Sequence, residues 1–92
     1  MQRNSVKKPK WEVYIIRTKT GKFYTGITTD LDRRFSEHQK GGKGARFFRL
    51  SNAESIVYRE PHPNRSEATK REMCIKKMSR KQKIDLIKFF IP

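Results

Sequence analysis

The chain has 92 residues, 34% of them hydrophobic, with 23 Lys and Arg against nine Asp and Glu and a formal charge of +14. That length and apolar content predict one small-cored domain, the apolar runs fall short of the roughly 20 residues that cross a bilayer, and one cysteine, Cys74, excludes an internal disulfide framework or a cysteine zinc site. The charge excess works against the compact state but suits a phosphate backbone that releases counterions on binding; a ribosomal or merely supercharged surface is the alternative.

Met1 to Lys10 is polar and basic with no apolar stretch behind it, which predicts a flexible basic arm rather than a secretory signal, and a cytoplasmic setting. Residues 11–92 are expected to form a single domain. Trp11 to Arg17 is rich in β-branched and aromatic residues and reads as a strand. Lys22 to Ile27 reads as a second strand, joined to the first across a turn at Thr18 to Gly21. If Lys19, Thr20 and Gly21 form a three-residue loop, Gly21 takes the left-handed position. Thr18 then pairs with Lys22, Ile16 with Tyr24 and Tyr14 with Gly26. Tyr14 and Tyr24 share a face as diagonal neighbours, and Gly26 leaves space across from Tyr14. A two-residue loop would instead put the tyrosines on opposite faces.

Thr29 or Asp30 can cap a helix from about Leu31 to Lys40, stopped by Gly41-Gly42. Leu31 and Phe35 form its core stripe, and Arg34 and His38 lie four apart beside it. Residues 42–50 suggest a loop with a short helical turn. Ser55 to Arg59 reads as a third strand, ended by Pro61 and Pro63. Ser66 is expected to cap a helix through about Met78, and Ser79 or Arg80 to open a last amphipathic helix reaching Phe90. The whole predicts an α+β fold, a small three-stranded antiparallel sheet flanked by helices.

The sequence contains no Ser-His-Asp arrangement, P-loop or dinucleotide fingerprint. The polar residues set on regular elements are Tyr14, Tyr24, Arg34, His38 and Glu72. Glu72 falls between Ala68 and Ile75 on the apolar stripe of its helix, where a carboxylate calls for a partner. That partner is Lys76 at i+4 or another cation on one reading, and a divalent metal on the other, since magnesium takes one or two carboxylates and keeps several waters. The tyrosines read equally as strand packing, Arg34 as a surface cation and His38 as a structural histidine.

In combination, these residues resemble the GIY-YIG endonuclease domain, as in the N-terminal part of the bacterial excinuclease, and most closely its single-domain bacterial members. The first motif stands here as Glu12-Val13-Tyr14 and the second as Tyr24-Thr25-Gly26. Arg34 matches the arginine ten residues after the second tyrosine, and His38 the histidine or tyrosine four further on. The run Glu67 to Lys76 matches the family's metal helix, with Glu72 at the metal position. Glu12 stands where the first motif has glycine, Thr25 where the second has isoleucine, and the asparagine of many members has no counterpart.

The resemblance implies hydrolysis of DNA phosphodiesters with one Mg²⁺ or Mn²⁺ held by Glu72, in DNA repair or processing. Arg34 would clamp the scissile phosphate. Tyr14 would position or deprotonate the attacking water, with Tyr24 orienting it and His38 bonding the phosphate or a tyrosine hydroxyl. Lys43, Arg46, Arg49 and Lys76 would contact the nucleic-acid backbone. A monomer is expected, with targeting by DNA shape or a partner protein. A binding module for DNA or RNA that has lost cleavage is the competing expectation.

Overall fold

The computed structural model describes residues 10–40 and 52–90. Residues 1–9 of the basic arm, the Gly41-Gly42 stop, the loop to Leu50, and Lys43, Arg46 and Arg49 lie outside the described residues. Six elements follow in order: β1 (Trp11–Thr18), β2 (Phe23–Thr28), α1 (Leu31–Gln39), β3 (Ala53–His62), α2 (Arg65–Lys76) and α3 (Arg80–Lys88). The three strands form one antiparallel sheet in the order β2-β1-β3, the architecture the sequence predicts.

Val13, Tyr14, Ile15 and Ile16 are all fully buried, because β1 is the central strand and both its faces are covered. One face carries Val13, Ile15 and Tyr58, packed with Ala68 and Ile75 of α2 and with Leu86 and Ile87 of α3. The other carries Tyr14 and Ile16, packed with Leu31 and Phe35 of α1. Burying a side chain such as Ile75 contributes roughly 1.5–3 kcal/mol, so these small clusters anchor each helix to its face.

The hairpin has the expected register. Thr18 N–H donates to Lys22 O (2.9 Å), Gly21 N–H to Thr18 O (2.9 Å), and Gly21 takes φ +87°. Ile16 pairs with Tyr24 and Tyr14 with Gly26.

Three local expectations are corrected. β3 is longer than Ser55 to Arg59 and runs through Pro61, which pairs with Glu12. It lies at the sheet edge, where a residue without an N–H is tolerated. Its register with β1 shifts between Ile15 and Ile16, so Val57 is passed over. The cap of α2 is Asn64 and not Ser66: Asn64 Oδ1 accepts from Glu67 N–H (2.9 Å), and the helix ends at Lys76 rather than Met78. Asp30 caps α1, and Ser79 caps α3 in a capping box with Gln82.

Polar contacts fix α2 against β3. Glu60 accepts from Tyr58 Oη at Oε2 (2.6 Å) and from Arg71 Nε at Oε1 (3.1 Å), and His62 Nε2 lies 2.7 Å from the same Oε1. Arg71 immediately precedes Glu72, so this anchor helps set where Glu72 stands. Among the described residues, no helix is long and apolar enough to cross a membrane.

Candidate active site

Four elements supply the site: β1, β2, α1 and α2. β1 supplies Tyr14, and β2 supplies Tyr24 two residues from the position facing it. The Tyr14 side chain leans across Gly26: a Cβ at position 26 would stand 2.5 Å from Tyr14 Oη and 2.7 Å from Cζ. Glycine is required there because the phenol occupies that volume. β2 is an edge strand, so the lean carries the hydroxyl end of Tyr14 toward the margin of the sheet.

From α1, the i, i+4 pair Arg34 and His38 faces these tyrosines. His38 is fully buried and shares a 3.2 Å hydrogen bond between Nε2 and Tyr14 Oη. The three rings form a cluster, with centroids 6.2 Å apart for Tyr14 and Tyr24, 6.4 Å for Tyr14 and His38, and 5.4 Å for the edge-on pair Tyr24 and His38. Arg34 is half-buried and its Nη1 donates to Glu37 Oε1 (3.2 Å). Glu37 was not among the sequence candidates, although its i, i+3 spacing from Arg34 was visible. It keeps the guanidinium in place and leaves other N–H groups of the fork for an anion.

The electrostatics separate the roles. Burial raises the Tyr14 phenol well above its ordinary value, with Tyr24 and Glu72 adding to the rise and the Arg34 hydrogen bond and charge opposing it. Burial lowers His38 from 6.5 to about 4, and the Arg34 charge acts in the same direction. At neutral pH the protein therefore holds an un-ionised phenol against a neutral imidazole. Arg34 retains its charge: burial works against it, and Glu37 and Tyr14 outweigh that.

Glu72 approaches from α2. Ala68 and Ile75 on either side of it are fully buried, while the Glu72 side chain is 17% exposed and its Oε2 lies 3.2 Å from Lys76 Nζ. The i, i+4 pair with Lys76, one of the partners the sequence left open, is thus present, and the Glu72 charge also acts on the ionisation of Tyr14. Glu12, on the Tyr14 face two residues earlier, is engaged elsewhere. Its carboxylate accepts from Arg59 Nε (2.8 Å) and Nη2 (2.7 Å) in a two-pronged pair.

Among the described residues no three His, Cys, Asp or Glu side chains converge as a metal cage. The donor set instead fits a hard, water-rich cation such as Mg²⁺, which needs one or two carboxylates. Glu72 offers hard oxygens at a partly exposed position, and its neighbour Lys76 is 55% exposed on a flexible stem.

Comparison with known proteins gives consistent results. Residues 10–85 match the family model of the GIY-YIG catalytic domain. A UPF0213 protein of Desulfotalea psychrophila is 46% identical over 88 residues, covering 96% of this chain and 80% of that one. The UPF0213 protein YhbQ of Escherichia coli is 42% identical over 77 residues, covering 84% and 76%. Among solved structures, the solution structure of a UPF0213 protein from Bacillus halodurans has a TM-score of 0.52 at 33% identity, covering 85% of this chain and 82% of that one. A solution structure from E. faecalis has a TM-score of 0.58 at 37% identity, covering 89% and 85%.

Proposed function

The chain belongs to the GIY-YIG family of nuclease domains, and on that premise we propose that it is a divalent-metal-dependent DNA endonuclease. The observation that carries this reading is a buried polar cluster: Tyr14 Oη bonds His38, and the charges of Arg34 and Glu72 both act on its ionisation. Plain strand packing would not require a buried histidine bonded to the phenol and a cation acting on it.

Arg34, held by Glu37, receives the scissile phosphate on its remaining donors. Tyr14 keeps its proton in the resting protein; with that proton directed at neutral His38, its oxygen lone pairs orient the attacking water. This favours positioning over deprotonation as the role of Tyr14. Tyr24, packed edge-on against His38, orients the same group. Glu72 would hold Mg²⁺ or Mn²⁺, which would supply stabilisation of the charge developing on the phosphate and the leaving oxygen. Lys76, with Lys43, Arg46 and Arg49 from the sequence, contacts neighbouring phosphates. The protein acts as a monomer on structure-selected DNA in repair or processing, directed by DNA shape or by a partner.

A second reading is a nucleic-acid-binding module without cleavage, favoured by one observation: the Glu72 carboxylate is already neutralised by Lys76 at 3.2 Å. Incubation with supercoiled, branched and single-stranded DNA, and with RNA, in Mg²⁺, in Mn²⁺ and with a chelator decides between them. DNA cleavage that the chelator abolishes is the expected outcome. Binding without cleavage under every condition supports the second reading, and cleavage that survives chelation contradicts the metal requirement.

A further inference from the structure

Away from the tyrosine cluster, the hairpin turn and the start of α3 enclose an open groove of about 290 Å³ lined by Lys22, Phe23, Arg80 and Lys83. Three cations face one space with no acid among its lining residues. Arg80 is fixed within it: Nη2 donates to Gly21 O (3.0 Å), and the guanidinium lies 4.6 Å above the centre of the Phe23 ring. Among the described residues none of these three cations forms an ion pair with a carboxylate, whereas Arg34, Arg59, Arg71 and Lys76 each do. Like charges gathered at a concave surface repel one another and raise the local concentration of anions.

Phe23 and Tyr24 are adjacent in β2, and strand alternation sends them to opposite faces of this edge strand. Phe23 packs with the α2–α3 cluster and Tyr24 with the α1 cluster. The groove therefore lies just around the margin of the sheet from Tyr24. A backbone leaving the proposed active site across β2 would pass from one to the other.

We propose that Lys22, Arg80 and Lys83 form a second DNA-backbone site that holds phosphates flanking the scissile bond. Arg80 is the preorganised donor, placed over Phe23 and anchored by Gly21, and the two lysines act as mobile point charges. The position of the groove relative to the scissile bond rests on the nuclease reading, but its capacity to bind DNA does not.

The test compares wild type, Lys22→Ala/Lys83→Ala and the charge-matched control Lys81→Ala/Lys88→Ala, whose residues lie outside the groove. Arg80 is left intact because it ties α3 to the turn. Fluorescence anisotropy with a labelled DNA duplex, over a range of salt and in chelator, gives the affinity and its salt slope. Removing one phosphate-neutralising cation lowers the slope by about 0.9, so the groove variant should fall by about 2 in slope and roughly tenfold or more in affinity, and the control much less. A Lys22→Arg/Lys83→Arg variant should bind as wild type does. Equal losses in the groove variant and the control, or wild-type binding by the groove variant, overturn the proposal. So does a groove-dependent loss seen with an RNA duplex or an acidic peptide but not with DNA.

Cleavage by saturating protein separates the two readings. Groove-dependent binding with no cleavage by any variant sinks the nuclease reading and keeps the groove. Cleavage with groove-independent binding does the reverse.

Discussion

His38 is held neutral by burial and by the charge of Arg34, with its pKa lowered from 6.5 to about 4. The unfolded chain, whose histidine protonates near pH 6.5, therefore binds more protons than the folded one between pH 6.5 and about 4. Stability is full above that window and falls as the pH is lowered through it. At about 1.4 kcal/mol per unit, the loss is at most about 3 kcal/mol. Denaturant unfolding of wild type and His38→Gln between pH 7 and pH 4 should show the steeper acid loss in wild type; parallel profiles would contradict the buried neutral imidazole. The spacing of Arg34 and His38 was legible in the sequence, as was the sharing of one face by Tyr14 and Tyr24. A tyrosine hydroxyl was one of the two partners that the family resemblance implied for His38; that it is Tyr14 depends on how α1 lies on the sheet.

Among the secondary-structure elements, the β1–β2 hairpin shows how far local rules reach. Gly21 at φ +87° fixes a three-residue loop, the loop fixes the register, and the register puts Gly26 across from Tyr14. Gly26→Ala places a methyl group against the Tyr14 phenol, which is pinned by His38 and cannot swing aside cheaply. Overpacking of this kind costs about 1–3 kcal/mol. The variant should fold with reduced stability in thermal unfolding and, on the proposed nuclease reading, lose DNA cleavage well beyond that deficit. Wild-type stability and cleavage together would show that the phenol does not need this space. Where tertiary context decides, the sequence was less informative. Asn64 and Ser66 are both capping residues, and it is Asn64 that opens α2, its side chain accepting from Glu67 N–H. Pro61 reads as a strand end, yet the edge position of β3 lets pairing continue through it. The shift at Val57 left no signal in the residue pattern.

Across the protein as a whole, the +14 charge is unevenly committed. Arg34, Arg59, Arg71 and Lys76 are tied to carboxylates that shape the site and seat its helices, while Lys22, Arg80 and Lys83 gather at one margin of the sheet. Composition made a polyanionic partner legible, but the groove combines a turn with a helix that begins nearly sixty residues later, so no local pattern revealed it. On the proposed nuclease reading, Glu72 serves the chemistry of the site rather than only pairing with Lys76. The most direct test is single-turnover cleavage of labelled DNA in Mg²⁺ by saturating wild type and Glu72→Gln, with the bound fraction read by anisotropy in the same samples. The variant is expected to keep DNA bound while cleavage falls to background; cleavage at the wild-type rate would contradict the role assigned to Glu72.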